Sequence, residues 1–385
     1  MKNLKYLVIG LFAFAIVGVT GVSAAAYVDE DTMPADSAYI GWYPNTTVEE
    51  REGVYYVTMG ADITTDFIIQ SGEEVVLDLN GFTLQNFTLA TEAIKVLEGG
   101  KLTIVDNSQD GDGKVVHQAG STYGVITNQG TLIIEGGNYE ISDNFYIIRN
   151  EAEMTINGGT FKSTSGASMI GNMRSTDQSG TELADNDVYP ELTINGGTFT
   201  SDDTVLINYA NSTIEINGGE FTSANEYVLD NSGAATINDG TLVSESTNAI
   251  FLNKDASKDT VALSLTVAGG SITSSDTVDS DIVLRSNSLE VPASTDVVTI
   301  TGGTFSTDVS DLLGDSYEMD ENGTVVEKEE PTTPPEEETP STPSEEIPAT
   351  PQTYDGVVVS VVVGAGALAV VVAAIVLAKK RILFN

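Results

Sequence analysis

One octapeptide pattern limits what this chain can fold into more than any other feature. Leu-Thr-Ile-Asn-Gly-Gly-Thr-Phe at 192–199 returns as Met-Thr-Ile-Asn-Gly-Gly-Thr-Phe at 154–161, Ile-Glu-Ile-Asn-Gly-Gly-Glu-Phe at 214–221 and Thr-Ile-Thr-Gly-Gly-Thr-Phe at 299–305. Weaker copies stand at 133–139, 235–242 and 265–272. The first glycine of the pair, or its counterpart, falls at Gly136, Gly158, Gly196, Gly218, Asp239, Gly269 and Gly302, giving intervals of 22, 38, 22, 21, 30 and 33 residues. A basic period near 22 with insertions is the mark of stacked repeats.

A second marker keeps the same beat: a short apolar run into asparagine, at Asn128, Asn150, Asn172, Asn208, Asn231 and Asn253, with a looser copy at Asn287. Two markers with one period predict two strands per repeat. Each is four or five β-branched and apolar residues bounded by Gly, Asn and Ser, and helical i, i+3, i+4 spacing is missing. The expected fold is therefore all-β, a parallel β-helix solenoid with coils of about 22 residues. Tyr139, Phe161, Phe199, Phe221, Leu242, Ile272 and Phe305 share one offset after the glycine pair and are expected to pile up inside. The glycines turn the corner, where backbone forbidden to other residues is open to them. The asparagines are expected to form a ladder, each side-chain amide bonding the next coil.

Composition narrows the function classes. Cysteine is absent, which excludes disulfides, thiolate metal sites and a catalytic Cys. A net charge of -41, with 16 Lys plus Arg and one His, excludes nucleic acid as a partner, because phosphate binding needs a basic surface.

In chain order, 1–26 carries Lys2 and Lys5, an apolar run and a small-residue site at 23–26, the pattern of a secretory signal peptide. Residues 27–52 are acidic, contain the single tryptophan Trp42, and are expected to cap the open end of the core. The repeat region spans 53–326. Residues 327–356 form a Pro/Glu/Thr-rich stretch with little to bury, a disordered stalk. Residues 357–378 are 22 apolar or small residues, about 33 Å as a helix and enough to span a bilayer. Lys379, Lys380 and Arg381 in the tail 379–385 place it in the cytoplasm by the positive-inside rule.

Leu-Asp-Leu-Asn-Gly-Phe-Thr-Leu at 77–84 and Gly-Gly-Lys-Leu-Thr-Ile-Val-Asp at 99–106, followed by the Gly-Gly-Thr-Phe copies, resemble the right-handed β-helix (pectin-lyase-like) domains of secreted surface proteins from Gram-positive and gut bacteria. The resemblance implies fold and surface location. Thr-Pro-Gln-Thr-Tyr-Asp at 350–355 is similar to a Pro-x-Thr cell-wall sorting signal, which would be cut after Thr353, although Tyr354 departs from the usual Gly or Asn.

Enzymes with this fold act on acidic polysaccharides through an Arg or Lys base beside calcium-binding carboxylates, or through paired acids. Arg149 and Arg285 lie in the Asn-marked strand but several coils apart, so they are not expected to share a site. His117 has no Gly-x-Ser-x-Gly elbow to serve. No catalytic residue is expected. Asp106, Asp110 and Asp112 have the odd-position spacing of a calcium loop, yet His117 stands where the closing Glu belongs, so weak calcium binding is the most this loop offers and no other cofactor is expected.

The distance from the Asn marker to the next glycine pair is 8 residues after Asn128, Asn150 and Asn231, but 24 after Asn172, 16 after Asn253 and 15 after Asn287. The long insertions leave at one turn, and insertions on one side of a solenoid often form its binding face. Their polar residues Arg174, Asp177, Glu182, Asp185, Asp187, Tyr189, Lys254 and Lys258 are the candidate binding residues. The expectation is a non-catalytic adhesion or glycan-interaction module at the cell surface, contacting glycans or host and cell-wall molecules and held to the membrane by 357–378. A surface-anchored polysaccharide lyase or hydrolase, and a structural spacer, are the alternatives.

Overall fold

The computed structural model describes residues 45–329 except 87, 118, 121–122, 144, 174–188 and 257–261. The signal-peptide, membrane-span and sorting-site readings, with Trp42 and Thr353, and the stalk beyond 329 lie outside these residues, while Glu327, expected to begin the stalk, ends a strand. Among the described residues no helix is long and apolar enough to cross a membrane.

The described chain is all-β. Its strands fall into a 19-stranded sheet, a 10-stranded sheet and a small antiparallel hairpin, Tyr317–Met319 with Val325–Glu327. One repeat runs Ile126–Asn128, Thr131–Ile134 and Asn138–Ile141, the first in the smaller sheet and the other two in the larger. Each strand pairs in parallel with its equivalent one repeat away: Ile126–Asn128 with Ile148–Asn150, Thr131–Ile134 with Glu153–Ile156, and Asn138–Ile141 with Thr160–Ser163. The repeat thus has three strands where two were expected. The octapeptide is not one strand but two bent at the glycines. Only at Thr213–Ser223 and Ala234–Ser244 does it run through as one strand of 11 residues.

Alternation decides which side chains go inside. Thr131–Ile134 buries Leu132 and Ile134, and the same two places hold Met154 and Ile156, then Leu192 and Ile194. Beside these columns the rings of Tyr139, Phe161, Phe199 and Phe221 stack 4.6–4.7 Å apart and within 9° of parallel. Leu242, Ile272 and Phe305 continue that column in register, and all seven are buried. Each fully buried side chain of this size contributes roughly 1.5–3 kcal/mol.

The two glycines answer separate needs. From Gly158 onward, a Cβ on the first would come within about 3 Å of a carbonyl oxygen in the preceding repeat, at 3.0 Å from Asn157 for Gly196 and 2.8 Å from Asn195 for Gly218. The second adopts positive φ, 114° at Gly197 and 110° at Gly219, which disfavours any side chain. Asp239 fits the first position because the register shifts opposite it, between Ile216 and Glu220.

Asparagines join the repeats from within. Asn128 Nδ2 donates to Asn150 Oδ1 at 2.7 Å, Asn150 to Asn172 at 2.8 Å, Asn172 to Asn208 at 2.9 Å and Asn208 to Asn231 at 2.8 Å, and all five residues are buried. The ladder stops there, short of Asn253. Asn231 pairs in register with Leu252, which puts Asn253 one place too far along, and Asn231 Nδ2 donates to the Ser264 carbonyl instead. Asn253 Oδ1 accepts from Arg285 Nε at 3.3 Å.

At the start of the larger sheet, Thr46–Arg51, in the segment expected to cap the core, is a strand that pairs antiparallel with Val54–Met59.

Candidate functional site

In the three-residue strands of the smaller sheet, the residues flanking the middle one turn inward and the middle one turns out. Register therefore sets Lys95, Thr127, Arg149, Gly171, Ile207, Asp230, Phe251 and Val283 in one outward row, one per strand. Rows on a parallel sheet repeat at about 4.8 Å, so this row is evenly spaced, but Thr127, Gly171 and Phe251 within it are buried under neighbouring groups. Tyrosines from the turns at either end of the strands lean over it.

Two clusters stand on the row. In the first, the Met173 methyl and the Tyr146 ring fill the place a side chain at Gly171 would take, the ring 3.2 Å from the Cβ that glycine lacks. Burial raises the Tyr146 phenol above its ordinary range, and its hydrogen bond with Tyr209 adds to the shift. Phe145 meets Tyr146 edge-on, with centroids 5.6 Å apart. Beside them Arg149 Nε pairs with Glu151 Oε1 at 2.8 Å, Gln129 Nε2 donates to the other carboxylate oxygen at 2.9 Å, and Thr127 Oγ1 donates to Glu92 at 2.8 Å.

In the second cluster, Tyr227 and Phe251 stack at 4.7 Å and 13°, and the Arg285 guanidinium lies 5.1 Å from the centre of the Phe251 ring. Asp230, the strand neighbour of Phe251, has its Oδ1 closed to water with no hydrogen-bond partner. Burial pushes its carboxyl up to about 6; Arg285 works against that shift and Glu226 adds to it. Burial, with Glu290, Glu226 and Asp230 nearby, also pushes the Tyr227 phenol up to about 12. Arg149 and Arg285 prove to be on the same face but five strands apart, about 24 Å, so one small ligand does not meet both.

The insertions border this face. All three leave after strands of the smaller sheet, Ile170–Asn172, Ile250–Asn253 and Ile282–Ser286, and return to the larger one. Arg174, Asp177, Glu182, Asp185, Asp187 and Lys258 lie outside the described residues. Tyr189 is half-buried where the first insertion rejoins the sheet, and Lys254 is exposed at the start of the second. The third is not a loop. Leu289–Pro292 folds back antiparallel on Ile282–Ser286 and edges the smaller sheet, through a turn whose Asn287 and Ser288 N–H groups donate to Asp255.

The candidate calcium loop is a hydrogen-bonded turn. Asp106 Oδ1 accepts from the Gly81 and Ser108 N–H groups and Oδ2 from Gly113 at 2.7 Å, while Asp110 and Asp112 are exposed. Burial acts to raise the Asp106 carboxyl, but these hydrogen bonds outweigh it and hold the group below its usual range. Among the described residues no three acidic or histidine side chains are placed to hold a metal ion. His117 is buried and meets Asp143 at 2.7 Å.

Sequence reading singled out the insertions and missed Tyr146, Tyr209, Tyr227, Asp230 and Phe251. The signal was the position just before each Asn marker, where Thr127, Arg149, Gly171, Ile207 and Asp230 show none of the constancy of the inward places. No family model matches this chain, and neither a curated protein nor a solved structure matches it.

Proposed function

We propose that this chain is a right-handed parallel β-helix of the pectin-lyase-like kind, exported and held at the cell surface, which binds glycans without transforming them. The hand follows from the strong preference of parallel crossovers. The observation that carries the glycan reading is the pair of aromatic and charged clusters on the outward row of the smaller sheet. Sugar rings offer apolar faces that stack on aromatic rings and hydroxyls that bond carboxylates and guanidinium groups. Surface placement rests on the sequence alone, through the signal peptide, stalk, apolar span and basic tail.

A second reading, a polysaccharide hydrolase, draws on Asp230, whose raised pKa is the property of a general acid. One assay separates the readings: the exported part of the chain is incubated with acidic and neutral glycans while binding and chain length are both followed. Binding with unchanged chain length supports the module, shortened products support the enzyme, and neither supports a spacer.

A further inference from the structure

The Asp230 cluster narrows the class of sugar, on the assumption that the glycan reading holds. Asp230 is a carboxylate with an oxygen sealed from water and no donor to meet it. The nearest cation does not supply one. Arg285 lies over the Phe251 ring, its Nε donates to Asn253 Oδ1, and no ion pair with Asp230 forms. A sealed acceptor without a donor is an unfavourable state that an arriving hydroxyl relieves. Next to it Tyr227 has Phe251 stacked on it and keeps part of its surface open, which suits the apolar face of a sugar ring.

Charge decides the rest. The groups acting on Asp230 are Arg285 and Glu226, and Glu290 joins Glu226 near Tyr227. Three carboxyls face one guanidinium, within a chain of net charge -41. An anionic sugar entering here meets repulsion from most of its neighbours. A neutral or cationic sugar meets no such repulsion, since the carboxyls outnumber the one guanidinium. We propose that Tyr227, Asp230 and Arg285 form a subsite for a sugar without acidic groups, with ring hydroxyls donating to Asp230, another accepting from Arg285, and the apolar ring face against Tyr227. Small movement of the side chains around Asp230 opens Oδ1 to the sugar.

The test titrates the full chain with neutral hexamers of glucose, galactose and mannose, with hexagalacturonate, and with a glucosamine hexamer. At least one of the neutral and glucosamine hexamers is expected to bind more tightly than hexagalacturonate. Asp230→Asn, which keeps the volume, and Tyr227→Ala should each weaken that binding tenfold or more, and Thr198→Ala on the other sheet should leave it unchanged. Thermal melting of Asp230→Asn checks that the fold is kept. If the affinity of the most tightly bound hexamer ignores both Asp230→Asn and Tyr227→Ala, this subsite falls but the glycan reading stands. Tighter binding of hexagalacturonate than of every other hexamer overturns the choice of a sugar without acidic groups. If none of the five binds, the glycan reading itself falls.

Discussion

The phenyl rings of Phe161 and Phe199 lie 4.7 Å apart and 8° from parallel, although 38 residues separate them in the chain. Phe199 and Phe221, only 22 residues apart, stack at 4.6 Å and 4°. The longer connection therefore leaves the interior untouched, because its extra residues depart between strands and the register resumes on return.

That column gives the first prediction. Phe199→Ala removes a buried ring held between two others and should cost about 3–5 kcal/mol. Thr198→Ala, at an exposed neighbouring position, should stay within about 0.5 kcal/mol. Urea unfolding of both variants checks this; equal small effects would mean that the ring column contributes little.

The asparagine ladder gives the second. Asn172→Ala takes the acceptor from Asn150 and the donor from Asn208, inside a buried row, and should destabilise by about 1–3 kcal/mol. Asn253→Ala, off the ladder, should cost less. Hydrogen exchange should rise first in the repeats on either side of residue 172, since each repeat leans on its neighbours. A larger loss at Asn253 than at Asn172 would contradict the register described above.

Asp230 gives a pH dependence of unusual sign. Its folded pKa, about 6, lies above the ordinary 3.8, so the folded chain holds more protons than the unfolded one between those values. Stability from this group therefore falls as pH rises from about 4 to 6, by up to about 3 kcal/mol. Asp230→Asn should flatten that part of the stability curve measured by urea titration from pH 4 to 7. A wild-type curve that already matches the variant's would show that Asp230 titrates normally.

Anchoring is tested by deletion. Removing 357–385 should send nearly full-length protein into the medium, read by immunoblot of cells and supernatant. Protein that stays cell-bound contradicts the membrane reading, and native protein recovered on peptidoglycan and ending at Thr353 assigns the attachment to a sortase instead.

Much of this architecture could be read from residue order, because an interior column imposes the same residue at the same offset in every copy. Phe161, Phe199 and Phe221 repeat for that reason, and so do Asn150, Asn172 and Asn208. The count of strands could not be read in the same way: a glycine pair that bends a strand looks on paper like the end of one element. The candidate site was less legible still. Tyr146, Tyr227 and Asp230 face outward, where packing demands nothing of the next copy, so they carry no period. Asn253 misled for a related reason, since one extra residue before it shifts the pairing by a place without erasing the motif.

A second, exposed asparagine row runs beside the glycine pairs: Asn195 Nδ2 donates to Asn157 Oδ1 at 2.8 Å, Asn217 to Asn195 at 3.0 Å and Asn238 to Asn217 at 2.7 Å. Its donors point toward the N-terminal neighbour, whereas those of the buried row, Asn128 through Asn208, point toward the C-terminal one. Backbone partners hold the buried amides in that sense, among them the Glu153 carbonyl and the Gly130 N–H at Asn128, and the carboxylate of Glu135 orients the exposed row at Asn157. Aligned amide dipoles add along a row, as they do along a helix. With one row pointing each way, the two sums oppose each other, and neither end of the repeat array gains the partial charge that a single ladder of the same length would place there.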